Sequence, residues 1–204
     1  DPQKISAIRK MANAKGMYGS RLTALLGDPI GLRLPPYFAN LLVVADQHIS
    51  KSLEKSETLE GLYEMLHPYG GTAIFPPSEA QQTTLLAGTE KLPQAQLQRS
   101  ARASLLRREG ALEGAANWSH EYGDPSNSLM SQDQRVQLPL GVLWFGGPAS
   151  DTRFFFDRHF RGPRLTVIDG RMFLQGHTTL ASFDIYTGKI LWEKTIKQGS
   201  SPGR

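Results

Sequence analysis

The chain has 204 residues, of which 39% are hydrophobic and 21% charged, with a mean hydropathy of −0.35, the composition of one or two ordinary globular domains. The net charge of +4 is evenly spread, with 13 Lys and Arg against 11 Asp and Glu in residues 1–115 and 10 against 8 in residues 116–204, so neither half carries the dense basic stripe of a nucleic-acid binder. The longest apolar run, Leu41–Ala45, is far shorter than the about 20 residues of a membrane helix, and the lack of cysteine excludes disulfides, thiolate nucleophiles and zinc–thiolate sites.

In chain order, Asp1 and Pro2 open a helix, because Asp1 can accept from the free N–H groups and proline suits the first helical position. Ile5, Ile8 and Met11 or Ala12 follow at helical spacing, and Gly16 and Gly19 end it. Arg21–Leu26 is expected to be a short strand, stopped by Gly27-Asp28-Pro29. Leu34-Pro35-Pro36-Tyr37 is rigid and extended. Phe38–Ala45 is apolar without alternation and is therefore expected to be a fully buried strand. Glu57–Leu66 is predicted helical with Leu59, Leu62, Tyr63 and Leu66 on one face. His67-Pro68-Tyr69-Gly70-Gly71 makes a turn into a short buried strand, Thr72–Phe75. The Gln-rich residues 76–100 are expected to hold one helix, Ser78–Ala87, and a loop, and Ala103–Arg108 a final edge strand. Helix, strand, strand, helix, strand with long crossovers implies a doubly wound, Rossmann-like α/β layer over residues 1–110. Phe38–Ala45 should lie at its centre, between Arg21–Leu26 and Thr72–Phe75.

After about residue 115 turn residues become frequent and apolar runs shorten. Val142–Phe145, Leu165–Ile168, Met172–Gln175, Thr179–Asp184 and Ile190–Lys194 are five candidate strands. Gly146-Gly147, Asp169-Gly170, Gly176-His177 and Thr187-Gly188 separate them, and Asp-Gly between two apolar runs is a strong hairpin signal. An antiparallel meander is expected.

Within that meander, Ser182-Phe183-Asp184-Ile185-Tyr186-Thr187-Gly188-Lys189-Ile190-Leu191-Trp192 resembles the tryptophan-docking motif of pyrroloquinoline-quinone (PQQ) type β-propellers, Ala-x-Asp-x-x-Thr-Gly-x-x-x-Trp. Asp184, Thr187, Gly188 and Trp192 stand at the motif's offsets, and Ser182 departs from its alanine. The residues make physical sense in a blade. Asp184 can accept hydrogen bonds from the turn closed by Thr187 and Gly188, Gly188 can supply a positive φ, and Trp192 offers a large apolar plate to a neighbouring blade. A cofactor-facing role is the functional alternative to this scaffold role. A lone blade cannot bury its faces, so the resemblance implies further blades as partners of this one. Asn117–Asp124 resembles the opening segment of such a propeller, and Trp144 the strand that closes the ring.

The first half resembles the C-terminal two-thirds of a class I S-adenosylmethionine-dependent methyltransferase. Arg21–Leu26 with Gly27-Asp28 looks like the strand and acidic turn near the adenine, Phe38–Ala45 like the fourth strand, and Met65–Gly71 like the leucine–proline–glycine–glycine turn before the fifth. The resemblance implies that the glycine-rich cofactor loop precedes Asp1. It also implies cofactor contacts by Asp1 (ribose) and Asp28 (adenine), against which stand the readings the residues themselves favour, a helix cap for Asp1 and a turn former for Asp28. Leu34-Pro35-Pro36-Tyr37 is not the family's Asn/Asp-Pro-Pro-Tyr motif, since it precedes the fourth strand and has leucine at the polar position. Asp46, ending that strand, is read as a cap. The succession as a whole resembles large bacterial proteins that join a methyltransferase-like domain (here 1–112) through a connecting segment (113–162) to a PQQ-type blade (163–204).

No other chemistry converges. His48, His67, His120, His159 and His177 lack metal-ligand spacing, and no nucleophile elbow, Walker loop or His-Glu-x-x-His is present. Asp151–Arg164, with Asp157, Arg158, His159 and Arg161, is a polar loop able to meet an anion or simply to be solvated. The resulting expectation is a binding or scaffold module. The alternatives are a methyltransferase using S-adenosylmethionine or a PQQ-dependent oxidoreductase, in a cytoplasmic or periplasmic protein.

Overall fold

A computed structural model describes residues 1–45, 56–77, 85–147, 151–154 and 163–197. The chain divides into two compact units, Asp1–Leu34 and Pro35–Arg204. No helix among the described residues is long and apolar enough to cross a membrane.

In the first unit, α1 (Pro2–Ala14) starts where the sequence places it. The Asp1 carboxylate accepts from the N–H groups of Gln3 and Lys4 at 2.8 and 3.4 Å, satisfying two of the donors that a helix start leaves open. Gly16, at φ 63°, lets the chain turn away. The expected strand Arg21–Leu26 does not form. A single bridge joins Tyr18 to Leu22, and the Ala24 carbonyl accepts from Arg9 Nε and Nη2 at 3.0 and 2.8 Å. A carbonyl held by a guanidinium is withdrawn from a sheet ladder, and Leu25 and Leu26 are left exposed.

The second unit begins with a mixed four-stranded sheet. It contains β1 (Leu41–Val43), β2 (Thr72–Phe75), β3 (Ala95–Arg99) and β4 (Ser104–Arg108), in the order β1-β2-β4-β3. β1 runs parallel to β2, while β4 is antiparallel to both β2 and β3. The crossover between β1 and β2 carries α2 (Ser56–Met65). As its spacing predicts, Leu59, Leu62, Tyr63 and Leu66 are all buried, in a core with Ala73, Phe75 and Leu106. A short helical stretch, residues 85–89, adds Leu85 to the core; the remainder of the expected helix Ser78–Ala87 lies outside the described residues.

Three expectations for this sheet need correction. Phe38–Ala45 is not central and not fully buried. Its strand is short, pairs only with β2 among the described residues, and leaves Leu41 and Val43 61% and 60% exposed. The sequence reading supplied it with a neighbour, Arg21–Leu26, that makes no strand. Ser104–Arg108 is interior and not an edge. The edge is β3, which lies in the stretch expected to be loop. Its Ala-Gln-Leu-Gln-Arg is too polar to signal a strand but suits a sheet edge with water on one side.

The second sheet is an antiparallel meander of β5 (Thr166–Ile168), β6 (Arg171–Gln175), β7 (Thr179–Asp184) and β8 (Ile190–Thr195). The first hairpin turns at Asp169-Gly170, where both residues have positive φ, 48° and 74°, the twist that suits a two-residue hairpin. Phe154, Leu174, Ala181 and Phe183 form the core of this layer, with Met172 against it. The fifth expected strand, Val142–Phe145, is absent, and residues 141–147 join no ladder. Trp118 instead exchanges backbone hydrogen bonds of 2.9 and 2.8 Å with Val167 of β5.

Candidate functional site

The motif residues assemble around the turn between β7 and β8. Asp184 ends β7, and its Oδ1 accepts from the Tyr186 N–H at 2.8 Å, while its carbonyl accepts from the Gly188 N–H at 2.8 Å. The Lys189 N–H reaches Thr187 Oγ1 at 3.4 Å. The Ile185 N–H donates to the Gly170 carbonyl at 3.1 Å, tying this turn to the first hairpin. Gly188 has φ +66°, and a Cβ there would stand 2.6 and 2.7 Å from Cζ3 and Cδ2 of Trp144. The Trp144 indole therefore lies flat against the turn, and its Nε1–H donates to the Ile185 carbonyl at 2.8 Å. Trp144 was expected on a strand; it is instead the lid of the motif turn.

Trp192 is placed differently. It projects from β8, a strand exposed along its whole length, is itself 41% exposed and lies tilted against Phe173 at 6.2 Å. An indole in contact on one side loses less than a buried one. We therefore expect Trp192→Ala to lower the unfolding free energy of this chain by about 1–2 kcal/mol, against the roughly 3–5 of a fully packed tryptophan. Urea titration checks this, and a loss as large as that of a core residue would mean that Trp192 is covered in solution.

The second component comes from the turn between α2 and β2. His67 Nε2 stands 2.7 Å from Asp184 Oδ2, and Nδ1 faces the Pro68 carbonyl. A carboxylate and a carbonyl both only accept, so both ring nitrogens carry protons and His67 is an imidazolium. Burial alone would depress its pKa, but the hydrogen bond and charge of Asp184, with the Pro68 carbonyl, raise it above the ordinary 6.5. Burial likewise works against the Asp184 carboxylate, and His67 with the Tyr186 N–H overcomes it, so its pKa is lowered. The Tyr186 ring meets His67 edge-on at 5.2 Å and Tyr37 at 5.7 Å; burial, chiefly, pushes its hydroxyl pKa up. Through this cluster the turn before β2 is joined to the turn between β7 and β8.

Beside the cluster lies a cavity of about 330 Å³ walled by Tyr37, Tyr69, Leu143, Val167, Ile185 and Tyr186. Arg135 and Asp133 supply its charge. Arg135 donates to the Tyr37 hydroxyl at 3.1 Å. The pKa of Asp133, which burial alone would raise, is lowered by the N–H groups of Val136, Arg135 and Ala116. Its size and aromatic walls are those of a small-molecule site.

Asp1 and Asp28 both lie in the first unit and are exposed. Asp1 caps α1, and Asp28 Oδ2 accepts from the Gly31 N–H at 2.8 Å as a turn former does. Asp46, His48, Asp157, Arg158, His159 and Arg161 lie outside the described residues. Among the described residues no three His, Asp or Glu side chains gather as a metal site would need. Compared with family models, curated proteins and solved structures, the chain matches none of them.

Proposed function

We propose that this chain is a binding and scaffold module in which a blade of the PQQ-propeller type is seated against a methyltransferase-like sheet. The observation that carries the reading is the pair of tryptophans. The motif turn of the blade already receives an indole, that of Trp144, on Ile185 and Gly188, while the blade's own Trp192 stands half exposed on an outer strand. A chain of blades repeats this contact, each tryptophan covering the next turn, so Trp192 is the donor for a further blade. The first sheet supports the other half of the reading. A parallel pair is followed by a reversed strand inserted beside it, in the order β1-β2-β4-β3, as in doubly wound folds of the methyltransferase kind that end on an inverted strand.

The carboxylates singled out in the sequence are engaged within the fold. Asp184, the motif's carboxylate, is used by His67 and the Tyr186 N–H. Asp1 and Asp28 are occupied by backbone N–H groups at the surface. In place of a cradle for either cofactor, the scaffold offers the tyrosine-walled cavity. Titration calorimetry of this chain with S-adenosylmethionine and with PQQ should register no binding in the micromolar range. Micromolar binding of the first would favour a methyltransferase, and of the second a quinone-dependent oxidoreductase, over a scaffold.

A further inference from the structure

Arg108, the last residue of β4, is a buried cation with no counter-ion among the described residues. It is 6% exposed, its Nε has no acceptor, and among the described residues no carboxylate lies within ion-pairing distance. The adjacent acid, Glu109, is taken by Arg107 at 2.9 Å. Two tyrosine faces hold the guanidinium in place, Tyr63 at 4.1 Å and Tyr37 at 5.3 Å. Ring faces offset part of the cost of burying a cation, but they bring no full negative charge, and a buried charge is ordinarily paired.

This guanidinium borders a second cavity, of about 240 Å³, which also presents Arg135, Leu112, Glu60, Glu64 and Glu113. At about 30 Å³ per water that is room for roughly eight waters. The Arg135 guanidinium donates only to neutral acceptors among the described residues, the Tyr37 hydroxyl at 3.1 Å and the Glu113 carbonyl at 3.3 Å, and no ion pair engages any of the three glutamates among these residues. Among the described residues, two cations and three carboxylates without an ion pair therefore face one small space.

We propose that this cavity binds a zwitterion of the α-amino-acid class, its carboxylate held by Arg108 and Arg135 and its ammonium by the glutamates. A plain anion would give Arg108 a counter-charge but meet three carboxylates, and a plain cation would leave Arg108 without one. A zwitterion answers both sets of charges. The cavity sits where β2 begins, since Thr72 pairs with Arg107. That is the end opposite the carboxyl ends of β1 and β2, where open α/β sheets ordinarily take their ligands. The inference is independent of the propeller reading.

Calorimetric or NMR titration of the whole chain with the standard amino acids tests it. Leucine is accompanied by isocaproate, which lacks the amine, and isoamylamine, which lacks the carboxylate. At least one amino acid should bind, and removing either charged group from it should weaken binding by about tenfold or more. Arg108→Met should abolish binding while the melting temperature holds or rises, because an apolar chain replaces an unpaired buried charge. Glu64→Gln, at an exposed position, should weaken the amino acid several-fold without touching the fold and with little effect on isocaproate. No binding by any amino acid, equal binding of the desamino analogue, or an Arg108→Met chain that binds unchanged would overturn the proposal.

Discussion

Replacing Gly188 by alanine should be among the most damaging single-methyl changes in this chain, costing about 2–5 kcal/mol. Two terms add. A residue with a Cβ held at φ +66° pays about 1–2 kcal/mol for the left-handed conformation. The new methyl would also lie within 2.6 Å of the Trp144 ring, and overpacking of that kind costs about 1–3 kcal/mol. The second term requires Trp144, so the two positions should couple. In a Trp144→Ala background the Gly188→Ala change should shrink to its backbone term, leaving an interaction of about 1–3 kcal/mol in the double-mutant cycle. Urea midpoints of the four chains measure it. Additive effects would mean that the indole does not lie on the turn, and the argument from paired tryptophans would go with it.

The meander was legible because its information is local. Asp169-Gly170 fixes the first hairpin through two positive φ angles, and turn residues bound each short apolar run that follows, so four strands fall where the sequence puts them. The mixed sheet was legible only where one element carries its own signal. Leu59, Leu62, Tyr63 and Leu66 mark one helix face regardless of what covers it. Strand position is a non-local property. Nothing within Phe38–Ala45 reveals which strand lies beside it, and an apolar run looks the same at a centre and at an edge. Arg21–Leu26 failed for a related reason, because the competitor for its Ala24 carbonyl is Arg9, fifteen residues earlier on a helix.

The candidate site divides in the same way. Asp184, Thr187 and Gly188 announce themselves by spacing within five residues, and their turn hydrogen bonds follow from that spacing. The partner that fixes the Asp184 charge, His67, is 117 residues away. In the sequence it is one of five scattered histidines. Trp144 carried a weak signal, an indole followed by Gly146-Gly147, and the glycines have a purpose the sequence does not state: a Cβ at Gly147 would stand 2.8 Å from the same ring. Arg108 had no signal at all, since a single arginine at the end of a strand is ordinary until its burial is known.

The His67–Asp184 pair gives the second large effect, and a pH dependence with a definite sign. Both side chains are nearly buried, with relative exposures of 13% and 8%. Removing one charge strands the other, which costs about 3–5 kcal/mol for fully buried pairs and about 2–4 here, where some water reaches the histidine. Asp184→Asn keeps the shape and an acceptor for the Tyr186 N–H, so its loss reports the charge. The His67 pKa is raised above 6.5 in the folded chain, so its contribution is complete below 6.5 and disappears as pH climbs through the raised value. The Asp184 pKa is lowered below 3.8, so its contribution is complete above 3.8 and disappears as pH falls through the lowered value. Stability should therefore hold level between these limits and decline on the alkaline side, by at most about 1.4 kcal/mol per pH unit while the histidine titrates. Neighbouring tyrosines do not blur this window, because burial, chiefly, moves the hydroxyls of Tyr69 and Tyr186 up and out of it. Thermal melts from about pH 6 to about pH 8 should fall for the native chain and stay flat for Asp184→Asn. Parallel profiles for the two would show that His67 is neutral in the folded protein, and that the seam between the two sheets rests on the aromatic contacts of Tyr186 and not on a charge pair.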